Sequence, residues 1–232
     1  MNNYKEIQTV NFPEADNLKV NMMPIIVGDR ESVPYPQYNP LIEACNLEPG
    51  TIAYLTINEG YIEKGLSQRR AGLHTEAVNF GAHGGGRVPV VIGPHGGGGS
   101  HGGGSIKKSP ARHGGGSHGG GGLHGGSGPY KGLYIASTVD KTTRIFDCSV
   151  EPTHFHGAME EYPDAPSEEL KANTLYWLHD KVPHEVLPMK EAQYRQFFRL
   201  ISEDLHGWYA KHNTPNPYGV QPSAPILYGS KF

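Results

Sequence analysis

Residues 81–128 contain six copies of a short motif, a histidine followed by two to four glycines. This segment, which we call the Gly/His insert, limits what the chain can fold into more than any other sequence feature. Of the protein's 32 glycines, 22 lie within it. Such a segment has almost no apolar side chains to bury, and each ordered glycine loses more backbone entropy than any other residue. The hydrophobic core must therefore come from the rest of the chain.

The histidines of the insert are His83, His95, His101, His113, His118 and His124. They follow one another at steps of 12, 6, 12, 5 and 6 residues. A polyproline-II-like helix has three residues per turn, so most of these histidines would share one face. Such helices have no internal hydrogen bonds, which predicts segments stacked on each other or on a second copy, in a homo-oligomer or filament. A disordered low-complexity loop and metal capture by a His-rich tract are the alternatives.

Without the insert, the 232-residue chain retains enough length for one ordinary domain. Short runs rich in β-branched and aromatic residues, separated by Gly and Pro, predict a mainly β sandwich or barrel with few short helices. Residues 133–139 and 142–150 read as a hairpin around Asp140-Lys141. Residues 39–45, 60–70 and 202–212 are helix candidates. Residues 213–232 form a proline-rich tail, which we expect to wrap the surface.

Bulk charge and composition exclude several classes of partner. The net charge of −3 and the pI near 6.5 do not indicate a partner such as nucleic acid or an anionic membrane, which would favour an excess of positive charge. The chain has no apolar run long enough to span a bilayer. Its start has no basic region followed by an apolar run, so no signal peptide is predicted and a cytoplasmic protein is the expectation.

Three residues in two distant segments could bind one metal ion. His74 and Glu76 are two residues apart, so in a strand their side chains point to the same face. His184 would complete a set of two histidines and one carboxylate, which suits Fe(II) and leaves positions for a co-substrate and oxygen. Either Arg195 or Arg199 could pair through its guanidinium with a carboxylate of that co-substrate.

These segments resemble those of the Fe(II)/2-oxoglutarate-dependent oxygenases. The matching stretches are HTE at 74–76, PHEVLP at 183–188 and YRQFFRL at 194–200. The resemblance implies a double-stranded β-helix, or jelly roll, with Fe(II) held by His74, Glu76 and His184. It assigns 2-oxoglutarate to a downstream arginine, for which Arg195 has the better spacing, and it implies hydroxylation of a substrate C–H bond. The chain departs from the family in having Glu where Asp is commoner and in carrying the Gly/His insert before His184.

A second set of residues competes for His184. His154, His156 and Glu160 have the H-x-H-x₃-E spacing of the first cupin motif, which resembles that of metal-binding jelly rolls. The Pro-x-Gly of the second cupin motif does not precede His184, which favours the oxygenase interpretation. A third interpretation has no metal, and the jelly roll would then be the scaffold of a self-assembling protein, filament-like or capsid-like.

Overall fold

The computed structural model describes residues 3–69, 71–76, 132–151, 158–202, 205 and 207–229. The described chain is mainly β, as the sequence predicts. The strands are β1 Tyr4–Thr9, β2 Lys19–Ile26, β3 Ile52–Ile62, β4 Leu133–Ser137, β5 Thr143–Phe146, β6 Ser167–Glu169, β7 Thr174–Leu178, β8 His184–Val186, β9 Gln193–Ser202, β10 Trp208–Tyr209 and β11 Ile226–Leu227. The Gly/His insert, and with it the prediction of stacked extended segments, lies outside the described residues.

Helices are few and short. Two 3₁₀ turns span Arg30–Ser32 and Pro36–Tyr38, and helix α1 spans Asn39–Ala44, where the sequence predicts it. The other two helix predictions are wrong for the residues described: β3 continues to Ile62 before a series of turns, and Trp208–Tyr209 is a strand. Among the described residues no helix is long and apolar enough to cross a membrane.

Six strands form one large antiparallel sheet in the order β1-β7-β4-β9-β3-β2. Its longest pairing joins β3 to β9, from Ala53 opposite Ser202 to Ile62 opposite Gln193. Strands β4 (LYIAS) and β7 (TLYWL) are buried along their whole length. Their nearly continuous apolar and aromatic sequence fits a strand that is covered on both faces.

Three short strands form a second antiparallel sheet in the order β6-β5-β8. The predicted hairpin is therefore wrong, because β4 belongs to the large sheet and β5 to the small one. A turn does follow β4, and Lys141 takes a positive φ of 59° there. This turn carries the chain from one sheet to the other. The two short apolar runs on either side of it do not determine whether they pair with each other or join separate sheets.

The two faces of the large sheet pack against different partners. Along β9 the side chains alternate, so that Phe198 and Leu200 join a cluster with α1, on what we call the outer face. Phe197 and Ile201 join a second cluster that includes Ile145 of β5, on what we call the inner face. The inner face is thus the one covered by the small sheet, and it also holds the polar side chains described below.

The proline-rich tail runs along β2, the edge strand of the large sheet. The Thr214 N–H donates to the Asn21 carbonyl at 2.8 Å. The Asn216 amide donates to the carbonyls of Pro24 and Ser32, both at 2.8 Å. The bonds to Asn21 and Pro24 satisfy carbonyl groups of β2, which has no second neighbouring strand among the described residues, and the bond to Ser32 ties the tail to the first 3₁₀ turn.

Candidate metal centre

His74 and His184 lie opposite each other in an isolated antiparallel bridge. The His74 N–H donates to the His184 carbonyl at 3.0 Å, and the His184 N–H donates to the His74 carbonyl at 2.9 Å. This bridge adds the segment around His74 to the small sheet beyond β8. It also brings the two imidazole rings to a centroid separation of 4.4 Å. The backbone therefore positions both side chains without help from a ligand.

The hydrogen bonds of the two rings define which nitrogen is available to a metal. His74 Nδ1 lies 2.9 Å from the Gly72 carbonyl oxygen, and His184 Nδ1 lies 2.9 Å from the Val182 carbonyl oxygen. A carbonyl only accepts, so Nδ1 carries a proton in each ring, and in the neutral form of the ring Nε2 has the lone pair that a metal ion would take. A backbone carbonyl bonded to the other ring nitrogen is the usual support of a metal-binding histidine.

Glu76 supplies the carboxylate between these rings. Its N–H donates to the Asp180 carbonyl at 3.0 Å, which holds the segment beside the chain entering β8. Its Oε1 lies 3.7 Å from His184 Nε2. One ligand atom from each of His74, Glu76 and His184 lies within 4.8 Å of the others, so this group could hold a metal ion.

The charge of Glu76 is set by two opposing effects. Burial alone would raise the pKa of its carboxyl, whose side chain is 20% exposed. The Arg199 guanidinium and then the two histidines act against this, and they hold the pKa of Glu76 well below its usual value. Glu76 is therefore ionised at neutral pH and available as an anionic ligand.

Arg199 projects from β9 on the inner face and forms an ion pair with Glu76. Its Nη1 donates to Glu76 Oε1 at 2.9 Å. Its Nη2 lies 3.0 Å from Met22 Sδ and 3.4 Å from Thr56 Oγ1, which are both weak acceptors in this geometry. The buried Nε has no hydrogen-bond partner among the described residues. Arg199 thus donates directly to the carboxylate of the candidate metal centre.

Arg195 lies four residues earlier on the same face and is completely buried. Its Nε donates to Ser137 Oγ at 2.9 Å, and its Nη1 donates to Gln68 Oε1 at 3.2 Å. Its Nη2 is buried with no partner in the described part of the chain. Burial lowers the pKa of Arg195 to about 10, so the guanidinium remains charged at neutral pH.

Arg69 is a third arginine near this centre, and the sequence alone does not predict it as a site residue. Its guanidinium carbon lies 5.1 Å from the ring centroid of Phe197, and that of Arg195 lies 5.2 Å from the same centroid. Burial, followed by the charges of Arg199 and Arg195, lowers the pKa of Arg69 to about 9. The signal for this residue in the sequence is the Arg doublet at 69–70, shortly before the HTE stretch.

The competing cupin set falls largely outside the described residues. His154 and His156 are among the residues that are not described, and the side chain of Glu160 is exposed. Among the described residues, His184 lies with His74 and Glu76 in a group that could hold a metal ion, and Glu160 is not part of that group. The cupin hypothesis thus stays a prediction.

No family model, curated protein or solved structure matches this chain. Any functional assignment rests on the side-chain geometry of the centre itself.

Proposed function

We propose that the protein is a non-haem Fe(II)- and 2-oxoglutarate-dependent oxygenase, or a relative of one. The observation that carries this proposal is the convergence of His74, Glu76 and His184 within 4.8 Å, between the two sheets. Two imidazoles whose Nδ1 atoms face backbone carbonyls, together with one ionised carboxylate, are the donor set of a facial triad, which favours Fe(II) and leaves positions open. Zinc in a structural site would favour four protein ligands instead.

The path of the chain supports a double-stranded β-helix as the scaffold. After β3 in the large sheet, the segment of His74 lies beside the small sheet, and β4 returns to the large one. Strands β5 and β6 then lie in the small sheet, β7 in the large, β8 in the small and β9 in the large. This repeated exchange between two antiparallel sheets supports the proposal of a jelly roll, whose two sheets are connected in the same alternating way.

The arginines support a dianionic co-substrate. Arg195 is proposed as the anchor of 2-oxoglutarate, because its buried Nη2 is unpaired among the described residues and a carboxylate would satisfy it. Arg199 is the alternative, but its Nη1 is already engaged by Glu76. The dianion would also offset positive charge in a buried place where isolated guanidiniums are costly.

The residues of the chain have separate roles in this proposal. Fe(II), when bound, would supply the oxygen chemistry that hydroxylates a substrate C–H bond. The carbonyls of Gly72 and Val182 orient the two imidazoles, and Arg199 keeps Glu76 ionised and fixed. The hydroxyl of Ser137 and the amide of Gln68 hold Arg195 in one orientation, which reduces the entropy lost when a carboxylate binds.

The experiment is anaerobic titration of the full chain with Fe(II) and then 2-oxoglutarate, followed by the visible charge-transfer absorption of an iron(II)–2-oxo acid chelate. This absorption requires the chelate, so weak binding of iron to the insert histidines does not produce it. We expect the band in the wild-type protein and in a control with the six insert histidines changed to Asn. It should disappear in His184→Ala.

Two results would contradict this proposal. If the wild-type protein gives no band, the oxygenase function is wrong. If His74→Ala retains the band while His154→Ala loses it, the metal is held by the cupin set rather than by His74 and Glu76. In Arg195→Lys we expect the band only at higher 2-oxoglutarate concentrations, because an ammonium does not reproduce the two parallel hydrogen bonds of a guanidinium.

Self-assembly through the Gly/His insert is kept as the alternative function. It depends on the sequence alone, since residues 81–128 lie outside the described part of the chain. Deletion of residues 95–124 should abolish assembly and leave the β domain folded, as measured by light scattering and circular dichroism. Normal assembly of that variant would exclude the insert as the interface.

A further inference from the structure

The candidate metal centre contains more positive charge than its own acidic residue can balance. Arg69, Arg195 and Arg199 approach it from two parts of the chain. Around Arg69, the described side chains supply two further guanidiniums, those of Arg199 and Arg195, and one carboxylate, that of Glu76. Buried like charges without counterions are unfavourable, and proteins retain them where a ligand supplies the missing anion.

One dianionic co-substrate does not remove this excess. A divalent metal, three guanidiniums and one carboxylate together carry four positive charges, of which 2-oxoglutarate would neutralise two. Arg195 Nη2 would pair with that co-substrate, and Arg199 Nε is a second buried guanidinium nitrogen that has no acceptor among the described residues. The centre therefore has both the charge and the hydrogen-bond donors for a further anion.

Arg69 and Arg195 occupy different depths of the centre. Arg195 is fixed on β9, is 0% exposed and is held by Ser137 and Gln68. Arg69 belongs to the segment between β3 and His74, and the residue is partly exposed. Both guanidiniums lie over Phe197, so the ring holds a second cation beside the first, on a segment where the residue is partly exposed. A ligand that enters after the co-substrate would meet Arg69.

We propose that Arg69 binds an oxyanion of the substrate, so that the centre takes two anions, a dicarboxylate co-substrate at Arg195 and an anionic substrate at Arg69. The inference rests on the proposed function, because the co-substrate occupies the deeper arginine. The substrate class is a small molecule bearing a carboxylate, sulfonate or phosphate close to the C–H bond that is oxidised. A guanidinium suits all three groups, since its paired N–H donors match two oxygens of each.

Sulfate is the probe, because it tests for an oxyanion site without knowledge of the substrate. Equilibrium dialysis of radiolabelled sulfate is measured under anaerobic conditions on the full-length Fe(II) protein, with and without saturating 2-oxoglutarate. We expect sulfate to bind in both cases. Arg69→Gln should weaken sulfate binding about 10- to 100-fold, the effect of one lost charge-assisted contact, and leave 2-oxoglutarate affinity nearly unchanged. Arg195→Gln should weaken 2-oxoglutarate binding and largely spare sulfate.

Matched variants separate this effect from unfolding and from general loss of charge. Arg69→Lys keeps the charge and should retain part of the sulfate affinity. Arg30→Gln removes an exposed arginine that pairs with Glu43 at the surface, and it should leave sulfate binding unchanged. Circular dichroism and thermal unfolding check that Arg69→Gln folds as the wild type does. A variant that is folded and still binds sulfate with wild-type affinity overturns the proposal.

The remaining outcomes are also decisive. If sulfate displaces 2-oxoglutarate in proportion, the centre has one anion site and the proposal is wrong. It is likewise wrong if Arg69→Gln weakens 2-oxoglutarate binding as much as Arg195→Gln does. If the wild-type protein binds no 2-oxoglutarate but binds sulfate through Arg69, the oxyanion site is supported and the co-substrate assignment fails, which distinguishes the two proposals.

Discussion

The large sheet separates two carboxylates, the buried Glu59 on the outer face and the partly exposed Glu76 beside the inner face, and their surroundings differ. Glu59 is 0% exposed and accepts from the Tyr38 hydroxyl at 2.5 Å, from the N–H groups of Asp16 and Leu18 at 2.7 and 2.9 Å, and from the Gln196 amide at 3.1 Å. All four donors are neutral, and together they use the acceptor capacity of one carboxylate.

The inner face shows the reverse balance. There the charged donors outnumber the acceptors, and Arg195 Nη2 and Arg199 Nε have no partner among the described residues. The outer network ties the N-terminal segment and the 3₁₀ turn at Tyr38 to the sheet, and no ligand is needed to complete it. The described residues offer no further acceptor to these two arginine nitrogens, and the proposed anions would supply one. We call a hydrogen-bond network closed when every donor in it has an acceptor, as on the outer face, and open when donors lack one among the described residues, as on the inner face. A closed network indicates a structural role, and an open one indicates a binding site.

The largest expected effect on stability comes from the outer face. Replacement of Glu59 by Ala removes the acceptor of the buried Tyr38 hydroxyl and of the part-buried N–H groups of Asp16 and Leu18, while the Gln196 amide keeps the Pro13 carbonyl as an acceptor. We therefore expect the free energy of unfolding to fall by about 2–4 kcal/mol. Urea unfolding followed by circular dichroism measures this loss. Fe(II) affinity should stay within about twofold of wild type in whatever fraction remains folded, since a closed network does not contribute to the centre. A loss below 1 kcal/mol would mean that the closed network does not hold the fold.

His74→Ala is the matching change on the inner face, with the opposite pattern. We expect Fe(II) affinity to fall by more than about 100-fold, because even the loss of an outer partner of a metal ligand costs 10- to 100-fold. The free energy of unfolding of the metal-free protein should change by less than about 1 kcal/mol, since the side chain is partly exposed. The measurements are competitive chelator titration and urea unfolding. A large loss of stability without loss of metal affinity would remove the distinction between the faces.

The sequence predicts much of this centre because its residues come from local patterns. The pair at His74 and Glu76, the histidine after Pro183 and the arginines of β9 can each be read within a few neighbouring residues. The structure brings the two histidines, the glutamate and Arg199 of β9 to one place. The mainly β fold and strand β7 follow from the same kind of local evidence.

The parts that could not be predicted depend on contacts between distant segments. The turn after β4 was located, but whether β5 pairs with β4 or joins another sheet depends on β8 and β6, which lie far along the chain. Arg69 contacts Phe197 across more than a hundred residues, so the arginine doublet alone indicates only a polar loop. The Glu59 network was missed for the same reason, because Gln196 and Tyr38 meet it only in the folded sheet.

A smaller effect is expected from Arg195→Met, which tests the open network directly. The variant loses two hydrogen bonds, to Ser137 and Gln68, but also removes a buried charge with an unpaired nitrogen. Because these effects oppose each other, we expect the free energy of unfolding to change by about 1 kcal/mol or less, in either direction. Urea unfolding without 2-oxoglutarate measures it, with Arg195→Lys as the control that keeps the charge. A loss comparable to that of Glu59→Ala would make Arg195 a structural residue.

The smallest expected effect is a change with pH in the free energy of unfolding, and it concerns Glu59 on the outer face. Burial would raise the pKa of Glu59, but its hydrogen bonds from Tyr38, Leu18, Asp16 and Gln196 bring the pKa below its usual value of 4.5. A lowered carboxyl pKa stabilises the folded state above the unfolded pKa, and that contribution is lost as the pH falls through the folded pKa. The gap in unfolding free energy between wild type and Glu59→Gln should therefore narrow as the pH falls from 6 to 3, because only the wild type loses this contribution. Tyr38→Phe removes one of these donors but keeps the carboxylate, so its gap from wild type should narrow less. A gap that stays constant over this range would show that the outer carboxylate is not stabilised in its ionised form, and the contrast between the two faces would then rest on Glu76 alone.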